Sequence, residues 1–491
     1  MFKKVFAKIR EVLQRMNIIK GARSIWQGKD LPNYEGFYTQ IETWRDVYSC
    51  KPPWLEVRTR SGFRTMSALN AAKVLCREMS GLTFSEQVDI NLSDAAYKEF
   101  IDGVLRDNSF WRQFPQFLER VYAMGGGALS VTLGQGKIVI DYVDAECFAP
   151  VGWNNRRITD GAFLTSQVHG EYYYNLLRRE TMAASEDGQP TIVIENDLYR
   201  SRNKSDMGQR IDLAKLYPWI EPYTEIKAAA APLFAYLKPN IANYIDSASP
   251  LGVSIFAAAI DTLKALDIAF DSFSREFILG RKRIIVPTQA MRYVVDPATG
   301  KMQRYFDAHD DVYEAFAADD AGNLHITDNT VELRIDEHAA AINALLNILC
   351  FQVGLSAGSL SFDGATGLKT ATEVISENSK TYRTKKDHQN LIREALEDMI
   401  QAVITLAVVA GYLPQREYEI SIGFDDSIIT DEKTKIDKHI KLTGAGLESK
   451  LRAVMEIMEC TEEEAQAELE RIKAENAITG APEDWFGGGG D

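Results

Sequence analysis

The sequence predicts an α+β chain, mainly helical, on three observations. Apolar residues recur near every 3.6 positions over long stretches, the mark of buried helix faces. Between 128 and 217 that texture gives way to short alternating runs punctuated by turns, the mark of antiparallel strands. The 491 residues, 45% hydrophobic and 25% charged, have the balance of a folded protein with room for about three domains.

Composition excludes several functions. Fifty-five Lys and Arg stand against 70 Asp and Glu, a net charge of −15, so the chain does not coat nucleic acid through a basic face. The odd, scattered cysteines, Cys50, Cys76, Cys147, Cys350 and Cys460, contain no CxxC pair and fit a reducing compartment. The most apolar run, AVITLAVVA at 402–410, is about half of the ~20 residues a bilayer span needs. The N-terminus lacks the apolar core of a signal peptide. Residues 1–20 can form a basic amphipathic helix with Phe2, Phe6, Ile9 and Leu13 on one side. It is read as a peripheral helix packed on its own domain, with a membrane-surface scaffold as the alternative.

From about 35 to 125 the pattern is helical. In 65–79 the residues Met66, Leu69, Ala72, Val74, Leu75 and Met79 keep helical spacing, with Gly81 just past the end. After Gly125-Gly126-Gly127 the runs ALSVTL and KIVIDYV read as strands joined by a turn at Gly134–Gly136. Further strands follow over 158–169, 171–180 and 191–201. A Pro- and Ala-bearing connector covers 218–250.

A regular helix is predicted over 253–279. Phe256, Leu263, Phe270 and Phe277 recur every seven residues, with Ala259, Leu266 and Phe273 three residues after the first three, which makes an apolar seam. Asp261, Lys264, Asp267, Asp271 and Arg275 on the other side read as a solvated stripe. Gly280 and the cations Arg281, Lys282 and Arg283 suit a helix C-terminus. A compact insertion fills 284–335, with strand-like IIVP and RYVV and turns at Asp296–Gly300 and Asp319–Gly322. A second apolar helix follows from Asp336 to about Phe351, carrying Ile342, Leu345, Leu346 and Leu349.

The next segment, GLSAGSLSFDGATGL at 354–368, is too glycine-rich for an element interior and long for a connection, so it reads as a functional loop. Thr370 and Glu373 then have capping-box spacing, and no proline occurs before Pro414, so one long helix spans about 370–411. A strand at 417–424 and helices near 431–443, 447–459 and 461–475 complete the chain. Thr461 and Glu464 form a second capping box, and four glycines before Asp491 make a flexible end.

Catalytic constellations are missing from the pattern. There is no HExxH, paired-cysteine or GxSxG motif, and His169, His309, His325, His338, His388 and His439 are dispersed. The stretch Gly364–Thr370 resembles a phosphate-binding loop, but Leu368 separates Gly367 from Lys369, so the backbone cannot cradle a phosphate in that way. Asp310-Asp311, Asp319-Asp320 and Asp425-Asp426 read as solvated turns rather than ligands for a divalent cation. No cofactor and no metal site are assigned. A nucleotide- or metal-dependent enzyme using the 354–370 loop remains the alternative reading.

A seamed helix, an insertion, a second apolar helix, a Gly-rich loop and a very long helix resemble the central order of tailed-bacteriophage portal proteins. The strings PLGVSIFAAAIDTLKALDIAFDSFSREFILGRKRIIVP (250–287) and GLKTATEVISENSKTYRTKKDHQNLI (367–392) are similar to the portal subgroup of phages and prophages of Gram-positive bacteria. The resemblance implies a wing at 1–250, whose β-rich part is 128–217, and a first stem helix at 251–280. A clip at 281–335, a second stem helix at 336–353 and a tunnel loop at 354–369 would follow. The long channel and wing helix with its following strand would take 370–429, and a crown with a flexible tail 430–491.

It further implies a non-enzymatic, cyclic homo-oligomer of about twelve subunits, located at the portal vertex of the virion capsid and in the host cytoplasm during assembly. Implied partners are the terminase large subunit, which would hold the ATPase, together with head-completion or adaptor proteins and the major capsid and scaffolding proteins. Double-stranded DNA would pass through the axis without sequence specificity. The channel loop would then be Gly354, Ser356, Gly358, Ser359, Ser361, Asp363, Gly364, Thr366, Gly367 and Lys369. The stem seam would be Phe256, Leu263, Leu266, Phe270, Phe273 and Phe277, satisfied by neighbouring subunits, with Arg281, Lys282 and Arg283 at the junction of stem and clip. An acidic lumen would hold the DNA backbone off the wall.

Overall fold

A computed structural model describes residues 35–479, apart from 60–61, 85–87, 135, 185–187, 204–207, 228, 230, 280–283, 286–291, 296–299, 301, 306–326, 329–331, 362–378, 425–431 and 459. The expected amphipathic helix at 1–20, the capping box at Thr370, the cations at 281–283 and the three Asp-Asp pairs all lie outside the described residues.

Four helices build the first domain: α1 (Glu35–Tyr48), α2 (Ala71–Thr83), α3 (Ala95–Asp107) and α4 (Phe110–Met124). Asp94 starts α3 by accepting the N–H groups of Ala96 and Tyr97, which satisfies donors a helix start leaves open. On α4, Phe110, Phe114, Phe117, Leu118 and Val121 are fully covered. Each such side chain contributes roughly 1.5–3 kcal/mol of burial. Gly125 ends that helix at φ 83°, and the backbone of Val253 lies 2.7 Å from where a Cβ would stand, so any larger residue would clash.

The domain is not purely helical. A hairpin, β1 (Glu56–Thr59) and β2 (Gly62–Thr65), and a strand, β3 (Val88–Leu92), interrupt it. The helix expected from residue 65 starts at Ala71 and runs through Gly81 to Thr83. Its would-be first turn stays extended because the backbone N–H groups of Ser67 and Leu69 donate to Asp271 and Asp267 far along the chain.

The β-rich part contains β4 (Gly127–Gly134), β5 (Lys137–Asp144), β6 (Phe148–Asn154), β7 (Arg157–His169), β8 (Tyr172–Ala184), β9 (Pro190–Ser201), β10 (Gln209–Ile211), β11 (Tyr223–Lys227) and β12 (Phe234–Leu237). It forms two antiparallel sheets where the sequence suggested one. One has the order β12-β4-β5; the other is β10-β9-β8-β7-β6, with β11 sharing the outer edge of β9 beside β10. The stretch read as a connector thus supplies a strand to each sheet. Ala128, Phe148, Phe163 and Phe234 pack together between the two sheets. An ion network is buried on the other face of the larger sheet: Arg179 reaches Asp197 at 2.9 Å and Glu195 at 3.4 Å.

Three helices follow, α5 (Ile260–Leu279), α6 (Ile335–Val353) and α7 (Ser379–Val409). Between α5 and α6 the described insertion consists of β13 (Ile284–Ile285) paired with β16 (Thr327–Asp328), and of the hairpin β14 (Arg292–Val295) and β15 (Met302–Tyr305) around the predicted 296–300 turn. At 31 residues and ~1.5 Å each, α7 is about 46 Å long. Ile392, Leu396, Met399, Ile400, Val403 and Ala407 sink it into the main core. The apolar run at 402–410 is therefore a core helix end, and no described helix is long and apolar enough to cross a membrane. Strand β17 (Ile420–Phe424) pairs with β3, setting Ile422 opposite Ile90 and tying the segment after α7 to the first domain. The C-terminal helices are α8 (Glu432–Gly444), α9 (Lys450–Met458) and α10 (Glu462–Thr479). The predicted capping box forms: Thr461 N–H donates to Glu464 Oε2 at 3.0 Å and Glu464 N–H to Thr461 Oγ1 at 3.4 Å.

Candidate functional site

Helices α5 and α6, expected from the resemblance to be the stem, pack on each other. The seam is divided along its length. Phe256, which precedes the helix in a tighter turn at 257–259, is covered by its own subunit, as are Leu263 and Leu266. Phe270 and Phe273 are half-buried, and Phe277 at the far end is 42% exposed. The expectation that neighbouring subunits satisfy the whole seam is therefore corrected: its N-terminal half belongs to the core of the single chain.

The opposite side of α5 also departs from expectation. Asp267 and Asp271 are buried rather than solvated. Asp267 accepts from Trp54 Nε1 and from the N–H of Leu69, both at 2.9 Å. Asp271 takes both arms of the Arg64 guanidinium at 2.7 and 2.8 Å and the N–H of Ser67 at 3.0 Å. Burial raises the Asp267 carboxyl above its ordinary value. Hydrogen bonds from Arg64 instead hold Asp271 below its own, as a paired guanidinium does to a carboxylate. These five hydrogen bonds bolt the hairpin β1–β2 and the lead-in to α2 onto α5.

At the other end of α5, Glu276 receives Arg334 Nε at 3.1 Å and Nη2 at 2.9 Å. That pairing lowers the Glu276 carboxyl to about 2. His338 Nε2 stands 3.6 Å from the same carboxylate, and its ring meets Phe273 edge-on at 6.1 Å. The contacts cross the root of the insertion, where the chain leaves α5 and returns to α6. Along its length the α5–α6 pair shows apolar surface to solvent: Ile268, Phe277, Ile278, Ile335, Ile348 and Phe351, the last 75% exposed. Lys380 Nζ lies 4.5 Å from the Phe351 ring centre and donates to its carbonyl at 2.9 Å.

The Gly-rich segment begins as an anchored structure. Gly354 ends α6 at φ 84°, and a Cβ there would meet Thr384 Oγ1 at 2.8 Å. Thr384 donates to the Gly354 carbonyl at 2.6 Å. Ser356 is buried and exchanges hydrogen bonds with Thr381: its N–H donates to Thr381 Oγ1 at 2.8 Å and Thr381 N–H returns to its Oγ at 3.3 Å. Gly358 N–H donates to Asn347 Oδ1 at 2.9 Å, and Ser359 Oγ lies 3.4 Å from Thr381 Oγ1. Ser361 is exposed. Asp363, Gly364, Thr366, Gly367 and Lys369 lie outside the described residues, as do Arg281, Lys282 and Arg283.

Thr381, Thr384 and Asn347, which tie this root down, were not singled out by sequence reasoning. Ser and Thr near a helix start are a weak signal, because capping and solvent exposure look alike in one dimension. Trp54 and Arg64 were missed for a different reason, since their partners lie about 200 residues away.

A family model for phage portal proteins of the SPP1 Gp6-like type matches residues 28–479, nearly the whole chain. The chain belongs to that family. No curated protein matches it. It is thus a bacteriophage portal subunit, a structural protein of genome packaging and of the virion. Such proteins are in general non-enzymatic and form homo-oligomeric rings.

Proposed function

We propose that copies of this portal chain stand side by side in a closed ring of about twelve at one capsid vertex, and that double-stranded DNA enters and leaves along its axis. The observation that carries the ring is the apolar surface left bare along the α5–α6 pair, at its far end on α5 and on the last turns of α6. Ile348 and Phe351 on α6 and Phe277 and Ile278 on α5 stay exposed although the proximal seam is covered. Large exposed apolar side chains clustered on a helix pair mark an interaction site, and each contributes roughly 1.5–3 kcal/mol when a neighbour covers it.

In this reading the anchored root at Gly354–Ser361 fixes where the following stretch projects toward the channel. The net charge of −15, repeated around a ring, disfavours close phosphate contact and keeps DNA mobile. The insertion between α5 and α6 is the clip that meets the terminase large subunit and later the head-completion proteins. The C-terminal helices form the crown facing the capsid interior, beside the capsid and scaffolding proteins.

Native mass spectrometry of the purified chain tests the ring. The wild type is expected to give a closed oligomer near twelve copies, and a double Ile348→Asp, Phe351→Asp variant folded subunits that do not close. A ring that survives both charges would sink the stem assignment. A deletion of 362–366, which spares the anchored root, should leave rings intact and impair DNA packaging or retention. Unchanged packaging would remove the channel role of the loop.

A further inference from the structure

The crown helices α8, α9 and α10 have a thin apolar core. Among their described residues the covered apolar side chains are Ala453 and Ala465, and the third covered residue on these helices is His439. Two alanines bury little area, and small units with so little core usually rely on a staple such as a bound metal. His439 is 2% exposed, and its two ring nitrogens face two different carboxylates. Nδ1 lies 2.8 Å from Glu448 Oε2, in the turn before α9, and Nε2 lies 3.4 Å from Glu456 Oε2 on α9. One ligand atom from each of the three residues falls within 4.8 Å of the others.

The distances divide the roles. At 2.8 Å, Nδ1–H donates to Glu448, and this fixes the tautomer that leaves a lone pair on Nε2. In that tautomer the lone pair faces a carboxylate oxygen, and a positive charge between them, a proton or a metal ion, relieves the repulsion. Two ligands about 2.0–2.1 Å from a tetrahedral zinc-class ion stand ~3.4 Å apart, which matches the separation of Nε2 and Glu456 Oε2. Carboxylate, imidazole and metal in this sequence form a familiar relay in which the outer carboxylate orients the ligand. One turn from His439 along α8, the buried Thr443 hydroxyl has no hydrogen-bond partner among the described residues. The neighbouring charges are Arg452, whose Nε is 3.1 Å from Glu456 Oε1 and 4.0 Å from Glu448 Oε1, and Lys438 on α8. Arg452 holds Glu456 through Oε1 and leaves its Oε2 facing Nε2, so two carboxylates share one guanidinium and a further cation is accommodated.

We propose that His439 and Glu456 bind one divalent transition-metal ion of the zinc class, with Glu448 as the positioning residue, so that metal staples α8 to α9. Glu456 is 41% exposed and gives the ion its entry from solvent. The proposal is independent of DNA conduction and of ring closure.

The test uses the full chain with Zn²⁺ alone and with Co²⁺ alone. Equilibrium dialysis at neutral pH should return one zinc per chain, and Co²⁺ should give the visible d–d absorption of a low-coordinate site. Added Zn²⁺ should raise the thermal midpoint of the crown. Glu456→Gln should abolish all three responses, and Glu462→Gln, an exposed acid on α10, should keep them. His439→Gln could unfold the crown outright, so the decisive variant is the half-exposed Glu456. Absence of stoichiometric zinc, with crown stability responding only to acid, would mean that a proton alone bridges the cluster and would overturn the proposal. Zinc binding that survives Glu456→Gln would overturn it equally.

Discussion

His388 makes the stability of the long helix depend on pH in a calculable way. Its ring is buried on α7, packs edge-on against Tyr122 at 5.2 Å and accepts the N–H of Asn240 on Nδ1 at 3.0 Å. Burial, which disfavours the charged ring, lowers its pKa from 6.5 to about 4, outweighing the opposing pull of Asp387. The folded state therefore holds the neutral ring where the unfolded chain would already bind a proton. The contribution is complete above pH 6.5, declines as pH falls toward 4, and is gone below that. A fall from 6.5 to about 4 corresponds to roughly 3 kcal/mol, at about 1.4 kcal/mol per pH unit.

The perturbation is His388→Asn, whose side-chain oxygen can still accept the Asn240 N–H but does not titrate in this range. Lost ring packing against Tyr122 lowers stability by an amount that does not vary with pH. Urea unfolding of both proteins from pH 7.5 to 4 should give wild-type stability that falls more steeply, by as much as ~1.4 kcal/mol per pH unit, than that of the variant. Every other titrating group is common to the two proteins and cancels. Parallel curves across that window would refute the assignment of a neutral buried imidazole.

Three further outcomes follow from particular contacts. Asp197→Ala should cost about 3 kcal/mol in chemical denaturation, because Arg179, buried against it at 2.9 Å, would keep only Glu195 at 3.4 Å and breaking a buried ion pair is expensive. Gly354→Ala should lower the thermal midpoint by an equivalent of about 1–2 kcal/mol, since φ is 84° and the new Cβ would press on Thr384. Phe270→Asp should lose at least about 2 kcal/mol and impair ring formation, as the half-buried ring packs against the main core. Normal stability and normal rings from that variant would remove Phe270 from the seam.

Much of the fold was legible in one dimension where the causes are local. The hairpin at Gly134–Gly136, the capping box at Thr461, the insertion between two apolar helices and a long helix running up to Pro414 follow from turn chemistry, caps and periodicity within a few residues. Asp267 and Asp271 show where that ends. Their spacing with Lys264 and Arg275 looked like a solvated stripe, yet Trp54 and Arg64 arrive from more than 200 residues away to bury them. The same arrival keeps residues 66–70 out of the helix against their helical pattern, a tertiary contact overriding a local preference. The Gly-rich segment was readable as a special loop, but its tethering through Thr381, Thr384 and Asn347 depends on α6 and α7 lying side by side. His439 and Glu456, 17 positions apart, formed no motif until a helix–turn–helix brought them within 3.4 Å.

By itself the sequence determined the fold class, the order of its parts and the family resemblance, because periodicity, caps and long family-like strings are written along the chain. Tertiary structure alone decided which half of the seam the subunit keeps for itself, which carboxylates are buried, and where a histidine meets two acids. Those outcomes depend on groups distant in sequence entering the same low-dielectric space, where pairing and desolvation are settled by geometry that no local pattern encodes.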